Sequence, residues 1–387
     1  MSMRSRKEVV ERQVRKYQRA GPAYRAKLID QLCEVCGYDR KYSIKVLNGN
    51  RPGPSGKQRG GGRRIYDEPV AKVAAAIWKA GDYPCGKRLA AMMALWLPAY
   101  EVHHGPLEED LRARLLRASP ATLDRLLARD RARIPRRRGG TKPGRLLRTQ
   151  IPVRCEHWDV SSPGYLEADT VDHGGESTAG NYMHSITFTD IYSGWIEQAA
   201  IWNKSGSAVL KRTREIEADL PFAILGFDSD NGGEFINHAL FQFFQQRSKP
   251  IHFTRSRAYR KNDNAHVEQK NWTKVRQLLG YARFDCPELV EVVDELYRKE
   301  WRLLQNFFQP VMKLVEKRRR GSKVVKRYDS PQTPAQRLLK WKGLAAEKRQ
   351  WLEKMQRTLD PMDLSAAVTR ELQKIRRILR EGLRHVA

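Results

Sequence analysis

Residues 222–235 read Phe-Ala-Ile-Leu-Gly-Phe-Asp-Ser-Asp-Asn-Gly-Gly-Glu-Phe. The apolar run from Phe222 to Phe227 has the length of a buried strand, and the carboxylates and glycines after it end that strand in a turn. A carboxylate at the C-terminal edge of a strand, followed by glycines, stands where open α/β sheets hold ligands. Asp230, with Asn231 beside it, occupies that position. Asp228 lies two residues earlier, on the same side if the strand continues, and Asp230 is the preferred assignment.

Upstream, Leu166-Glu167-Ala168-Asp169-Thr170-Val171 reads as a strand whose Asp169 is flanked by small or apolar residues. Short β-rich runs at 165–171, 182–190, 194–202 and 222–227 follow one another, with Ser193-Gly194 as a hairpin turn. A helix at about 205–219 precedes the fourth run. A helix at about 234–247, a strand at 250–254 and a helix at about 263–280 follow it. The expectation is an α/β core: a mixed five-stranded sheet with helices on its faces.

The last of these helices contains Asn264-Ala265-His266-Val267-Glu268-Gln269-Lys270-Asn271. Taken singly, Asp169 reads as a turn or salt-bridge residue and Glu268 as an exposed helix residue. Taken together, Asp169, Asp230 and Glu268 are three carboxylates without His or Cys at ligand spacing. That donor set favours hard, oxygen-preferring cations, Mg²⁺ or Mn²⁺, and two such ions clamp the attacking and leaving oxygens of a phosphodiester. Asn264 and His266 lie just before Glu268, and Asn271 about one turn after it on the same face. They suit hydrogen bonding to DNA or to a metal-bound carboxylate, or capping. Arg255, Arg257, Arg260 and Lys261 form a basic approach to this helix, and Lys270 and Lys274 lie on it as candidate DNA contacts.

Asp228 to Phe235, followed after Asp230 and 37 intervening residues by Glu268 in a helix headed by Asn262-Asp263-Asn264-Ala265, resembles the catalytic core of insertion-sequence transposases. Those enzymes belong to the retroviral-integrase superfamily, with an Asp-Asp-Glu triad on an RNase H-like fold. The resemblance extends to Ser256-Arg257-Ala258-Tyr259 and to Thr333-Pro334-Ala335-Gln336-Arg337-Leu338-Leu339, and covers about 160–340. It implies that Asp169, Asp230 and Glu268 are the triad, in that order. It further implies metal-dependent cleavage at transposon ends, 3′-hydroxyl strand transfer into a target duplex, and at least a homodimer on DNA. Two departures stand out. The His-His-Cys-Cys zinc module of retroviral integrases has no counterpart here. Where many relatives carry a DNA-contacting Lys two turns after the Glu, this chain has Val275 between Lys274 and Arg276.

Charge divides the chain in the same way. Lys and Arg number 73 against 44 Asp and Glu, a net charge of +29. Residues 1–150 hold 34 basic and 14 acidic side chains, residues 151–290 hold 15 and 18, and residues 291–387 hold 24 and 12. Basic flanks around a slightly acidic centre are nucleic-acid-binding candidates, because cationic surface neutralises phosphates and releases counterions; with the resemblance, the expected partner is double-stranded DNA. The expected organisation has a first helix-turn-helix unit at 1–50 and a Gly-rich basic linker at 51–66. A second helical DNA-binding unit at 67–134 and a basic linker at 135–160 precede the core at 161–290. A basic β/α region with a hairpin and helical tail fills 291–387. Candidate DNA contacts in the flanks are Arg40, Lys41 and Lys45 on the second short helix, Arg125 and Arg129 on a helix from Ser119 to Arg133, and Arg136, Arg137 and Arg138 in the linker. No apolar run approaches the roughly 18 residues of a membrane span. Five cysteines give no disulfide framework. The expected location is cytoplasmic, with the nucleoid.

Overall fold

Gly37, at φ +65°, turns the chain between two of the three helices that make residues 1–65 a unit of their own. The structure is a computed structural model that describes residues 3–49, 65–133, 160–177, 179–229, 235, 238–255, 270–320 and 323–384. In the first unit α1 (Met3–Arg19), α2 (Pro22–Cys36) and α3 (Arg40–Leu47) enclose Val10, Tyr17, Leu28, Ile29, Leu32, Cys36 and Leu47. A left-handed backbone at Gly37 lets its N–H cap Cys33 O at 2.9 Å. Asp39 then starts α3 by accepting from the N–H of Lys41 at 2.8 Å and of Tyr42 at 3.3 Å.

Residues 66–387 form the second unit. It opens with α4 (Glu68–Ala80), α5 (Gly86–His104), α6 (Glu109–Arg117), α7 (Pro120–Leu126) and α8 (Ala128–Ala132). The single helix expected from Ser119 to Arg133 is two short ones. Ser119 caps α7 as its sequence requires, but Leu127 leaves helical geometry at φ −89°, ψ 5°, and both Leu123 and Leu127 are buried. These helices share a core with the residues that follow: the Trp96 indole of α5 donates to Phe308 O at 3.0 Å. No described helix is long and apolar enough to cross a membrane.

The sheet comprises β1 (Tyr165–Asp172), β2 (Met183–Asp190), β3 (Ile196–Trp202), β4 (Gly226–Ser229) and β5 (His252–Arg255), in the order β3-β2-β1-β4-β5. The first three strands are antiparallel, and β4 and β5 add parallel to β1. This is the mixed five-stranded sheet expected from the sequence. Asp190 organises the hairpin after β2, accepting from Ser193 N at 2.7 Å and from Gly164 N at 2.8 Å, while Gly194 supplies a positive φ of 76°. The fourth strand begins at Gly226, later than the apolar run predicts, because Leu225 N bonds outside the ladder, to Gly164 O at 2.8 Å.

Helices α9 (Gly206–Asp219) and α10 (His238–Gln245) cover one face of the sheet. The other is covered by a π-wound turn, Asn271–Arg276, which runs into α11 (Gln277–Leu279), and by α12 (Glu288–Leu296) with two further π-wound turns, Tyr297–Trp301 and Leu304–Phe308. A hairpin of β6 (Leu314–Arg320) and β7 (Lys323–Tyr328) follows, then α13 (Pro334–Lys340), α14 (Ala346–Thr358) and α15 (Pro361–Arg384). Thr333 and Gln336 form a reciprocal capping box at the start of α13.

The two faces differ in chemistry. Under α9 and α10 lie Leu166, Ala168, Ile186, Phe188, Ala199, Phe227 and Phe253, all buried. The Phe227 ring centroid is 4.8 Å from that of Phe244, 5.2 Å from Phe188 and 5.5 Å from Phe253. The opposite face carries Glu167, Asp169, Ser185, Thr187, Thr189, Gln198, Asp228 and Thr254, since side chains alternate along each strand. Helical polar groups meet it: the Tyr297 hydroxyl and Ser185 hydroxyl lie 2.8 Å apart, and Gln305 Nε2 donates to Gln198 at 3.1 Å.

Candidate active site

Asp169 stands on the polar face of β1, half-buried and paired across the ladder with Thr187 of β2. Its Oδ1 accepts from the Thr170 N–H at 2.8 Å, and its Oδ2 accepts from the Asn271 side-chain amide at 2.6 Å. Residue 271 opens the π-wound turn and is buried. The segment immediately after the candidate helix residues is thereby tied to the first candidate aspartate. π-wound turns widen a helix by one residue and recur at functional sites.

On the neighbouring strand, β4 ends at Ser229, which pairs in register with Ala168. The residue before Asp169 and the residue before Asp230 therefore sit side by side on parallel strands. Asp228, the alternative carboxylate, is completely buried and accepts from the Thr254 hydroxyl of β5. Asp230, Asn231, Asn264, His266 and Glu268 lie outside the described residues, as do Arg257, Arg260 and Lys261, and Arg136, Arg137 and Arg138. Arg255 pairs through its backbone with Ser229.

The other sequence candidates fall in three settings. On α3, Lys41 and Lys45 are exposed, while Arg40 forms an ion pair with Asp30. Arg125 of α7 and Arg129 of α8 are exposed; on α8, Arg131 is instead bound to Asp124 at 2.8 Å and stacked over Trp78. Lys274, expected on a DNA-facing helix surface, is buried: its ammonium donates to Gln309 Oε1 and lies 5.3 Å from the Trp301 ring centroid. Burial pushes its pKa down to about 8, against the pull of Asp82. Lys270 is held well below the ordinary lysine range by burial and by the nearby charges of Lys274, Arg88 and Arg337.

Some neighbours of this site gave no sequence signal. Trp272, beside Asn271, is 42% exposed. Past the end of the Asp169 row, Asp172 accepts from His184 at 3.0 Å and Lys204 at 2.8 Å, which together hold its carboxyl far below the usual carboxylate range despite burial. His173 is buried against Phe284 with Nε2 2.8 Å from the Ser185 hydroxyl, and burial pushes its pKa down to about 3. Elsewhere, His103, Asp360 and Asp363 bring three donor atoms within 4.8 Å of one another, but Asp360 is already the cap of α15, accepting from Met362 N at 2.7 Å.

Sheet and flanking helices define an α/β protein of mixed five-stranded type with a half-buried carboxylate, Asp169, on the polar side of its central strand. The chain belongs to the same family as the uncharacterized protein y4rM of Sinorhizobium fredii (strain NBRC 101917 / NGR234): the two are 38% identical over 343 residues, spanning 87% of this chain and 96% of that protein. No protein-family model matches the chain. Among solved structures, it is similar to the catalytic core domain of BIV integrase, with 17% identity over 30% of this chain and 70% of that one and a TM-score of 0.25. It is also similar to the HTLV-2 integrase catalytic core domain in complex with magnesium, with 14% identity over 38% of this chain and 88% of that one and a TM-score of 0.28.

Proposed function

We propose that this protein is a DNA transposase, a polynucleotidyl transferase that cleaves transposon ends and joins the freed 3′-hydroxyl to a target duplex. The observation that carries the reading is the 2.6 Å bond from Asn271 to Asp169, which anchors the chain three residues after Glu268 to the first member of the triad. The register pairing Ala168 with Ser229 supports the second member, since Asp169 and Asp230 follow those two residues directly. Asp228, buried and bonded to Thr254, belongs to the sheet interior.

Asp169, Asp230 and Glu268 would hold two Mg²⁺ or Mn²⁺ ions. The donor set fits: all three are hard carboxylate oxygens, and the Asp169 oxygens are oriented by N–H donors in the way that outer hydrogen bonds orient metal-ligating groups. Bound ions supply Lewis-acid activation and charge neutralisation for in-line displacement at phosphorus. The chain's own residues do the rest. Asn271 and the Thr170 N–H fix the direction of Asp169. Arg257, Arg260 and Lys261 neutralise strand phosphates near the site. The exposed Trp272 indole offers a π-face on which a base at the cleaved end can stack. Lys41 and Lys45 on α3, with Arg125 and Arg129, contribute duplex affinity, and two copies handle the two ends.

The test uses the full chain, a labelled duplex carrying the element's end, and Mg²⁺ or Mn²⁺. Metal-dependent cutting and joining that disappear in Asp230→Asn, with duplex binding retained, is the expected result. Tight binding without metal-dependent cutting replaces this reading with that of a DNA-binding regulator.

A further inference from the structure

Beside Lys270, Thr273 and Lys274 lies a cavity of about 40 Å³, walled by the β2–β3 turn, the π-wound turn, α5 and the segment before β6. A space of that size takes about three waters or one small oxyanion. Four cations line it: Arg88, Lys270, Lys274 and Lys313. They come from three parts of the chain more than 180 residues apart at their extremes, so no local charge run places them together.

The lining has donors to spare. Thr189 is 1% exposed and Lys274 6%. Among the described residues, neither the Thr189 hydroxyl oxygen nor Arg88 Nε has a hydrogen-bond partner, although both atoms are buried. The Lys313 ammonium donates to Tyr192 O at 2.8 Å. The carboxylate in the wall, Asp190, is engaged by Ser193 and Gly164 and acts with Asp329 on Lys313, while the acid acting on Lys274 is Asp82. Several partly desolvated cations facing one space repel each other, and a bound anion removes both the repulsion and the unmet donors. A guanidinium, ammonium groups and a hydroxyl converging from different directions suit a tetrahedral phosphoryl group.

We propose that this cavity binds a phosphoryl group, and that on the transposase reading it seats a backbone phosphate of the strand held at Asp169. Thr187, opposite Asp169, and Thr189, in the cavity wall, are two residues apart on one face of β2. That separation is about 7 Å, or about two nucleotide steps of axial rise along one strand.

The experiment is a thermal melt of the full chain without divalent metal, in phosphate against chloride at equal ionic strength, with a six-nucleotide single strand as a second ligand. Phosphate at tenfold its Kd raises the Tm by about 3 °C. Arg88→Gln and Lys270→Gln lose that rise while melting within about 1 °C of wild type in chloride. If the oligonucleotide abolishes the further rise from phosphate, the pocket takes a strand phosphate. If phosphate still adds its full rise, the ligand is the free ion and the strand assignment falls. Equal melting of wild type in phosphate and chloride, or a rise that persists in both variants, overturns the site. The melt contains no metal and no cleavable end, and Asp230→Asn retains the rise. Failure of the pocket is thus separable from failure of the transposase reading.

Discussion

The two faces of the sheet are built on opposite principles. Under α9 and α10, aromatic and aliphatic side chains interdigitate around Phe227, and water exclusion supplies the binding of helix to sheet. Under the π-wound turns and α12, Asp169, Ser185 and Gln198 are held by individual hydrogen bonds, as is the backbone of Ile196, whose carbonyl accepts from Asn306 Nδ2 at 2.8 Å. Apolar packing tolerates small slips; a set of directed bonds does not. The apolar face is therefore the stabilising one, and the polar face the one that fixes atoms in place. Glu197 at the β3 edge pairs with Phe188 and so brings a charge to the apolar side, where it is buried and ion-paired with Arg302 at 2.7 Å.

The comparison breaks most readily at Asp169. On the proposed reading, Asp169→Asn lowers metal-dependent cleavage by about a thousandfold while shifting the urea midpoint little, since several kcal/mol of transition-state stabilisation would depend on the carboxylate. The reverse pattern is expected at the apolar face. Phe227→Ala costs about 3–5 kcal/mol of stability, read from urea unfolding, through the cavity left among Phe188, Phe244 and Phe253. Asn271→Ala sharpens the contrast: on the proposed reading, cleavage falls about 10- to 100-fold, with metal dependence shifted to higher concentration, because Asp169 loses its orienting bond.

The smallest effect concerns protons. His173 is kept neutral in the fold, with its pKa lowered to about 3, whereas the unfolded chain takes up a proton near the ordinary 6.5. The unfolded state thus binds more protons below pH 6.5, and stability present above that value is lost progressively as pH falls toward 3. Between pH 7 and pH 5 the wild type loses about 2 kcal/mol relative to His173→Gln, measured as the difference of the two urea curves at each pH.

What the residues disclosed and what they hid follows from the range of the forces involved. The hairpin at Ser193-Gly194 was legible because a glycine and a side-chain acceptor act within four residues. The start of a helix at Ser119 was equally local. The break at Leu127 was not, because it is decided by a core that Leu127 reaches only in the folded unit. Nor was the π winding of Asn271–Arg276, which leaves no periodic trace in side-chain type. The strand position of Asp169 was readable from its neighbours. The burial of Lys274 was not: a lysine on a basic helix looks solvated until Gln309 and Trp301 arrive from more than 25 residues away.

The winding at Asn271 has one more consequence. An ordinary α-helix advances about 100° per residue, and a π turn accommodates one residue more than its α counterpart. Were the same residues, Asn271–Arg276, to wind as an ordinary α-helix, Asn271 would swivel by about that angle relative to α11. The amide that grips Asp169 would then face elsewhere, although no chemical group at the site had been altered. The aim of this end of the molecule is thus set by counting residues.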